Sequence, residues 1–110
     1  MLFVTVEDFL TQASTIPPLT REEETALACR MAQGDTAARE ALVRGYLPLV
    51  AAFVRRAPAS VRTLDTVYAG VAALERAVDG FDFQQTGETF AHRLGWALRQ
   101  TVTRQIAERT

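Results

Sequence analysis

The stretch Pro17-Pro18-Leu19-Thr20-Arg21-Glu22-Glu23-Glu24, with Gly34-Asp35 after it, carries the punctuation that decides the fold class. The two successive prolines cannot extend a helix, because each lacks an amide proton and restricts the residue before it. Thr20 and Glu23 stand at capping-box spacing, where the hydroxyl accepts from one orphan amide of the first turn and the carboxylate from another. Gly34 supplies a stop and Asp35 a cap for the next helix. Helix end, start, end and start follow one another with no strand-like alternation between them.

Outward from this stretch the same signs predict six helices. Residues 5–14 open with Glu7 and Asp8, where the helix dipole favours acids. The second helix follows the Thr20 capping box and stops at Gly34. A third runs from the Asp35 cap to Arg44, where Gly45 ends it. Pro48 suits the first turn of a fourth that begins near Leu47 and turns Leu47, Val50, Phe53 and Val54 inward. Beyond Pro58 and Ser60, Val67, Val71, Leu74 and Val78 recur at helical spacing within residues 64–79, up to Gly80. Residues 81–87 are a loop with two aromatics, Phe81 and Phe83, and the sixth helix covers residues 89–108. The expected fold is all-α, one compact multi-helix domain over residues 1–110. Its entry helices lie in 1–34, its core and docking helices in 35–80, and its loop and last helix in 81–110.

The 110 residues leave no room for a separate catalytic module, and 48% hydrophobic with 23% charged residues is the balance of an ordinary folded chain. A net charge of −1 restricts any nucleic-acid site to a local patch. All 12 basic residues are arginine, which suits planar contacts to phosphates and bases and is equally the mark of a codon-biased genome. Cys29 is the only cysteine, so an intramolecular disulfide is impossible and a Cys-based zinc site is not expected. It reads as a small helix-packing residue. With no basic leader and no apolar run long enough to span a bilayer, the expectation is a cytoplasmic protein with no membrane partner. No enzyme is expected either. His92 is the single histidine, no phosphate-cradling glycine loop occurs, and capping explains Glu22, Glu23 and Glu24. No catalytic residue, metal site or cofactor is therefore assigned.

The last helix carries the most information. On a helical wheel, Phe90, Ala91, Leu94, Leu98, Val102 and Ile106 form its expected core face. Trp96 falls outside that arc, among His92, Arg93, Arg99, Gln100, Thr103 and Arg104, and residues 89–107 contain no acid. An aromatic ring among such donors is what single-stranded nucleic acid requires: a stacking platform with phosphate contacts beside it. The competing reading packs Trp96 beneath another element and leaves the arginines as a solvated face. In residues 64–79, Ala69, Ala72, Ala73 and Arg76, flanked by Tyr68 and Glu75, form either a partner-docking groove or an alanine-rich solvent face.

In this order the motifs resemble the sigma-70 family of bacterial RNA polymerase initiation factors. Phe9-Leu10, Ile16-Pro17 and Leu19-Thr20-Arg21-Glu22-Glu23-Glu24 resemble the segment leading into the family's second conserved region, and Ala28, Gly34-Asp35, Ala38-Arg39-Glu40 and Leu42 continue in register. Leu47-Pro48-Leu49-Val50 with Arg55-Arg56 resembles the core helix that follows. Leu64-Asp65, Gly70, Leu74, Ala77-Val78 and Phe81-Asp82 resemble the helix that docks the polymerase clamp coiled coil. Trp96-Ala97-Leu98-Arg99-Gln100-Thr101-Val102-Thr103-Arg104 resembles the helix that reads and melts the promoter minus-ten element.

The resemblance implies region two of the family, preceded by one helix, with core RNA polymerase and the non-template strand of the minus-ten element as partners. It implies polymerase contacts at Leu64, Asp65, Tyr68, Ala69, Ala72, Ala73, Glu75 and Arg76. For DNA it implies Phe90, Trp96, Gln100 and Thr103, with Arg99 and Arg104 as phosphate contacts and Phe90 and Trp96 supporting the melted strand; the helical wheel adds His92 and Arg93 from the same face. The chain also departs from the family. Ala97 replaces a second Trp, Arg93 replaces a Tyr, and one residue is inserted between Phe83 and Phe90. Tyr68-Ala69-Gly70-Val71 stands where the family has polar Gln-Glu-x-Asn, which removes hydrogen-bonding groups from the expected polymerase interface. The alternative function is a protein-interaction module that regulates polymerase or a sigma/anti-sigma partner without promoter recognition. The sequence given ends directly after the minus-ten-like helix; a split factor with a second chain for minus-35 recognition, a degenerate regulator and a fragment are the three readings of that end.

Overall fold

Side-chain caps set the helix starts. Thr5 and Thr20 each close a complete capping box, with Asp8 and Glu23 as the returning acids. Asp35 accepts from the Ala38 amide at 3.2 Å and Thr63 from the Thr66 amide at 3.3 Å. The computed structural model describes residues 3–109. It holds α1 (Val6–Ser14), α2 (Arg21–Ala32), α3 (Thr36–Arg56), a 3-10 turn (Ala59–Val61), α4 (Leu64–Gly80) and α5 (Phe90–Arg109). The described residues contain no strand, and the fold is all-α. Met1, Leu2 and Thr110, which the single-domain expectation includes, lie outside the described residues.

The α-helices of the described residues number five rather than six, because α3 runs unbroken through Gly45 and Pro48. A proline inside a helix costs about 3 kcal/mol through its missing donor and the clash of its ring with an earlier carbonyl. Against that, Leu42, Leu47, Val50 and Val54 on both sides of the proline are buried along one face of α3. Each such side chain contributes roughly 1.5–3 kcal/mol on burial, so keeping both halves on one axis wins. Gly45 is not a stop either. The Leu19 side chain lies over it, and a Cβ built there would sit 2.5 Å from Leu19 Cδ1. Gly34, with φ 93°, does take the left-handed conformation of a helix stop.

α3 is the central element and touches α1, α2, α4 and α5. Phe9 and Ala13 of α1, Val67, Leu74 and Val78 of α4, and Phe90, Leu94 and Leu98 of α5 close the core around it. Gly70 lets α4 approach α3 closely, since a Cβ there would come within 2.9 Å of Val50 Cγ1. The Tyr46 hydroxyl ties α2 to α3 by donating to the Glu24 carboxylate at 2.6 Å, and burial, then this bond, pushes the phenol pKa up.

Two expectations about helix faces are corrected. Cys29 is exposed rather than packed, because Ala28 takes the inward position of α2 and the next residue turns about 100° away. On α5 the buried residues are Phe90, Leu94, Leu98 and Thr101, whereas Ala91 and Ile106 are exposed and Val102 is half-buried. The polar Thr101 is accepted inside because its hydroxyl donates to the Ala97 carbonyl at 2.9 Å. No helix of the described residues is long and apolar enough to cross a membrane.

Candidate nucleic-acid interface

Thr89 starts α5, its hydroxyl accepting from the His92 amide at 3.1 Å. With Phe90, Leu94, Leu98 and Thr101 buried against α3 and α4, the helix turns His92, Arg93, Trp96, Arg99, Gln100, Thr103 and Arg104 outward, all exposed. Trp96 is 52% exposed, so it is a surface ring and not a core residue. The Arg99 guanidinium lies 5.2 Å from the ring centroid, a cation–π pair one turn along the helix. An exposed pair of this kind contributes about 0.5–1 kcal/mol and orients the guanidinium beside the ring.

Three arginines meet where α5 packs against α4. A shallow groove of about 380 Å³ has Arg76, Arg93, Gln100 and Arg104 along its walls, while Ala73, Ala77 and Ala97 keep it open. Arg76, assigned from sequence to the polymerase-docking set, thus shares a surface with the α5 arginines. Nothing in a wheel of α4 alone could reveal this, because the groove belongs to two helices.

Two features temper the positive face. Phe90 is 2% exposed and stacks on Phe83 with ring centroids 5.1 Å apart, while Tyr46 and Phe81 meet it edge-on at 4.7 and 5.4 Å. The expectation that Phe90 offers a stacking surface is therefore corrected: its ring fills the core cluster under loop 81–89. The second feature is Glu88. It accepts from His92 Nδ1 at 2.9 Å and from Arg93 Nε and Nη2 at 3.0 and 2.8 Å. These hydrogen bonds, His92's first, hold its carboxyl below the usual value. Sequence reasoning misses Glu88 because it precedes the helix; only its acidic type and its spacing from His92 and Arg93 signal the contact.

On α4, Asp65, Tyr68 and Arg76 are exposed, and Leu64, Ala69, Ala72 and Glu75 are half-buried. Ala73 is corrected from the docking set to the core: at 3% exposure it packs at the α4–α5 contact. Tyr68 stacks on Phe3 with centroids 5.5 Å apart yet stays 53% exposed. A second hollow, about 470 Å³, lies between Arg21, Glu24 and Thr25 of α2 and the loop from Phe81 to Phe90. Among the described residues no group of three His, Cys, Asp or Glu side chains is placed to hold a metal ion.

The fold and site define a small all-helical unit that presents one aromatic, arginine-rich helix face. The family described as Sigma-70 factor, region 1.2 matches residues 5–37. The RNA polymerase sigma factor SigA of Clostridium acetobutylicum is 36% identical over 104 residues, 94% of this chain and 27% of that protein. The proteins of the same name from Listeria monocytogenes and Listeria innocua are each 35% identical over 104 residues, 94% of this chain and 28% of theirs. The chain thus spans about a quarter of the length of these relatives. The similarity is therefore to sigma factors of the sigma-70 family. The matched segment, which holds α1 and α2, is similar to region 1.2 rather than to region two, which corrects the expected assignment there.

Proposed function

We propose that this chain is a sigma-like transcription initiation domain in which α3, α4 and α5 act as region two. In this reading the exposed side of α4, with Leu64, Asp65, Tyr68, Ala69, Ala72, Glu75 and Arg76, docks the clamp coiled coil of core RNA polymerase. The outer face of α5, with His92, Arg93, Trp96, Arg99, Gln100, Thr103 and Arg104, captures the non-template strand of the promoter minus-ten element. The observation that carries the reading is Trp96: a large aromatic ring half exposed to solvent, with Arg99 at its side and further arginines along the same helix.

Mechanistically, base pairs at a flexible A·T-rich step open spontaneously, and a protein that binds the opened strand better than the duplex shifts that equilibrium. Stacking on Trp96 contributes about 1–3 kcal/mol, and the arginines contact the backbone. Binding energy alone opens the strand, so no nucleotide hydrolysis is required.

The test is titration of single-stranded minus-ten oligonucleotides at two salt concentrations. Trp96→Ala is expected to weaken binding by roughly five- to a hundredfold, and Arg99→Ala to weaken it and flatten the salt dependence. If neither substitution changes binding, the DNA role fails. Co-purification with core polymerase without any single-strand binding would instead favour an interaction module that has lost promoter recognition.

A further inference from the structure

We propose that the Glu88 carboxylate is an autoinhibitory contact of the α5 face, competing with ligand phosphate for His92 and Arg93 and so setting how tightly a single strand is held. The inference rests on the nucleic-acid reading of α5 given above. Among the described residues Glu88 is the one acid bonded to that face, and it engages the His92 imidazole and the Arg93 guanidinium of the first turn at once, one on each oxygen. Its position is built in. Gln85 Oε1 accepts from the Glu88 amide at 3.1 Å and from the Gly87 amide at 2.8 Å, and the Gln85 side-chain amide donates to the Glu88 carbonyl. Loop 81–89 therefore presents the carboxylate to the helix from a fixed backbone, unlike a surface pair of two free side chains.

The other end of the face differs. Among the described residues, Arg99 and Arg104 have no carboxylate partner. Arg93 lies between the two regimes, because it pairs with Glu88 and also walls the groove shared with Arg76 and Arg104. A phosphate diester entering that groove meets Arg76 and Arg104, neither of which has a carboxylate partner among the described residues, and Arg93, which is already engaged. Taking Arg93 exchanges one anion for another around the same cation. With the Glu88, His92 and Arg93 side chains 26%, 62% and 54% exposed, the exchange is weak enough to tune binding and too weak to block it. The lowered carboxyl pKa of Glu88 keeps the competitor ionised at neutral pH.

The experiment measures fluorescence anisotropy of a labelled A/T-rich single-stranded oligonucleotide with the whole 110-residue chain across a salt series. Glu88→Gln is expected to tighten binding by about two- to fivefold at low salt, the range of an exposed ion pair. It should also steepen the log–log salt slope by up to about 0.7 for each additional phosphate neutralised. The tightening should vanish when Glu88→Gln is combined with Arg93→Gln and His92→Gln, which separates local competition from a general change in charge. Tightening that persists in that combination overturns the proposal. So does Glu88→Gln binding like the parent while Trp96→Ala still weakens binding, an outcome that leaves the nucleic-acid reading standing. No binding by any of these proteins overturns both.

Discussion

Two mid-helix glycines provide a direct test of the packing, Gly45 in α3 and Gly95 in α5. By helix propensity alone, Gly→Ala at either position gains about 1 kcal/mol. The structure separates them. A Cβ at Gly95 has Phe53 Cζ as its nearest neighbour at 4.0 Å, an ordinary contact. At Gly45 it would lie 2.5 Å from both Cδ1 and Cγ of Leu19, about 1 Å inside ordinary contact. Leu19 would have to withdraw from α3, or α2 and its leading segment would have to shift. Overpacking of this kind costs about 1–3 kcal/mol, which cancels or exceeds the propensity gain. Gly95→Ala is therefore expected to raise the melting temperature by about 4 °C, and Gly45→Ala to leave it unchanged or lower it by up to about 8 °C. Thermal and urea denaturation followed by far-ultraviolet circular dichroism would measure both. Adding Leu19→Ala should reverse the sign of the Gly45→Ala effect, because it removes the atoms in the way. Gly45→Ala as stabilising as Gly95→Ala in the parent background would falsify the close contact and restore the view of Gly45 as a dispensable helix glycine.

Phe90→Ala should cost about 3–5 kcal/mol in urea denaturation, with Phe90→Leu recovering much of it, because the ring fills the cluster of Tyr46, Phe81 and Phe83. A small loss would mean that the cluster collapses around the hole or is not part of the core. Asp35, Asp79 and Glu88 are held below their ordinary pKa values of 3.8, 3.8 and 4.5 by hydrogen bonds from Arg30, Arg39 and His92. Their depressed folded-state values make them stabilising above the ordinary values, and that contribution is lost as pH falls through the folded ones. Melting temperature should hold steady down to about pH 5 and fall below it, less steeply in Asp79→Asn. An Asp79→Asn protein whose acid transition matches the parent's would refute the contribution of the Arg39–Asp79 pair.

Much of the architecture was legible locally. The capping box at Thr20, the Asp35 cap and the Gly34 stop appear in the structure because each is settled within a few residues of chain. The outward direction of Trp96 was equally legible, since the angle between two residues of one helix follows from their spacing. The core edge of α5 was less so: the wheel ranked Ala91 and Ile106 above Thr101, but which polar residue goes inside depends on whether its hydroxyl finds a carbonyl.

The sequence by itself determined that the chain is helical, where most helices begin, and that the last helix turns an aromatic ring toward arginines. Only the tertiary structure decided that α3 runs straight through Pro48, that Leu19 occupies the notch at Gly45, that Phe90 is core, and that Glu88 engages His92 and Arg93. The reason lies in where the energy comes from. Caps and wheel angles depend on neighbours in the chain. The continuity of α3 depends on several buried side chains outweighing one proline, and the groove at Arg76, Arg93 and Arg104 exists only when α4 and α5 are packed together.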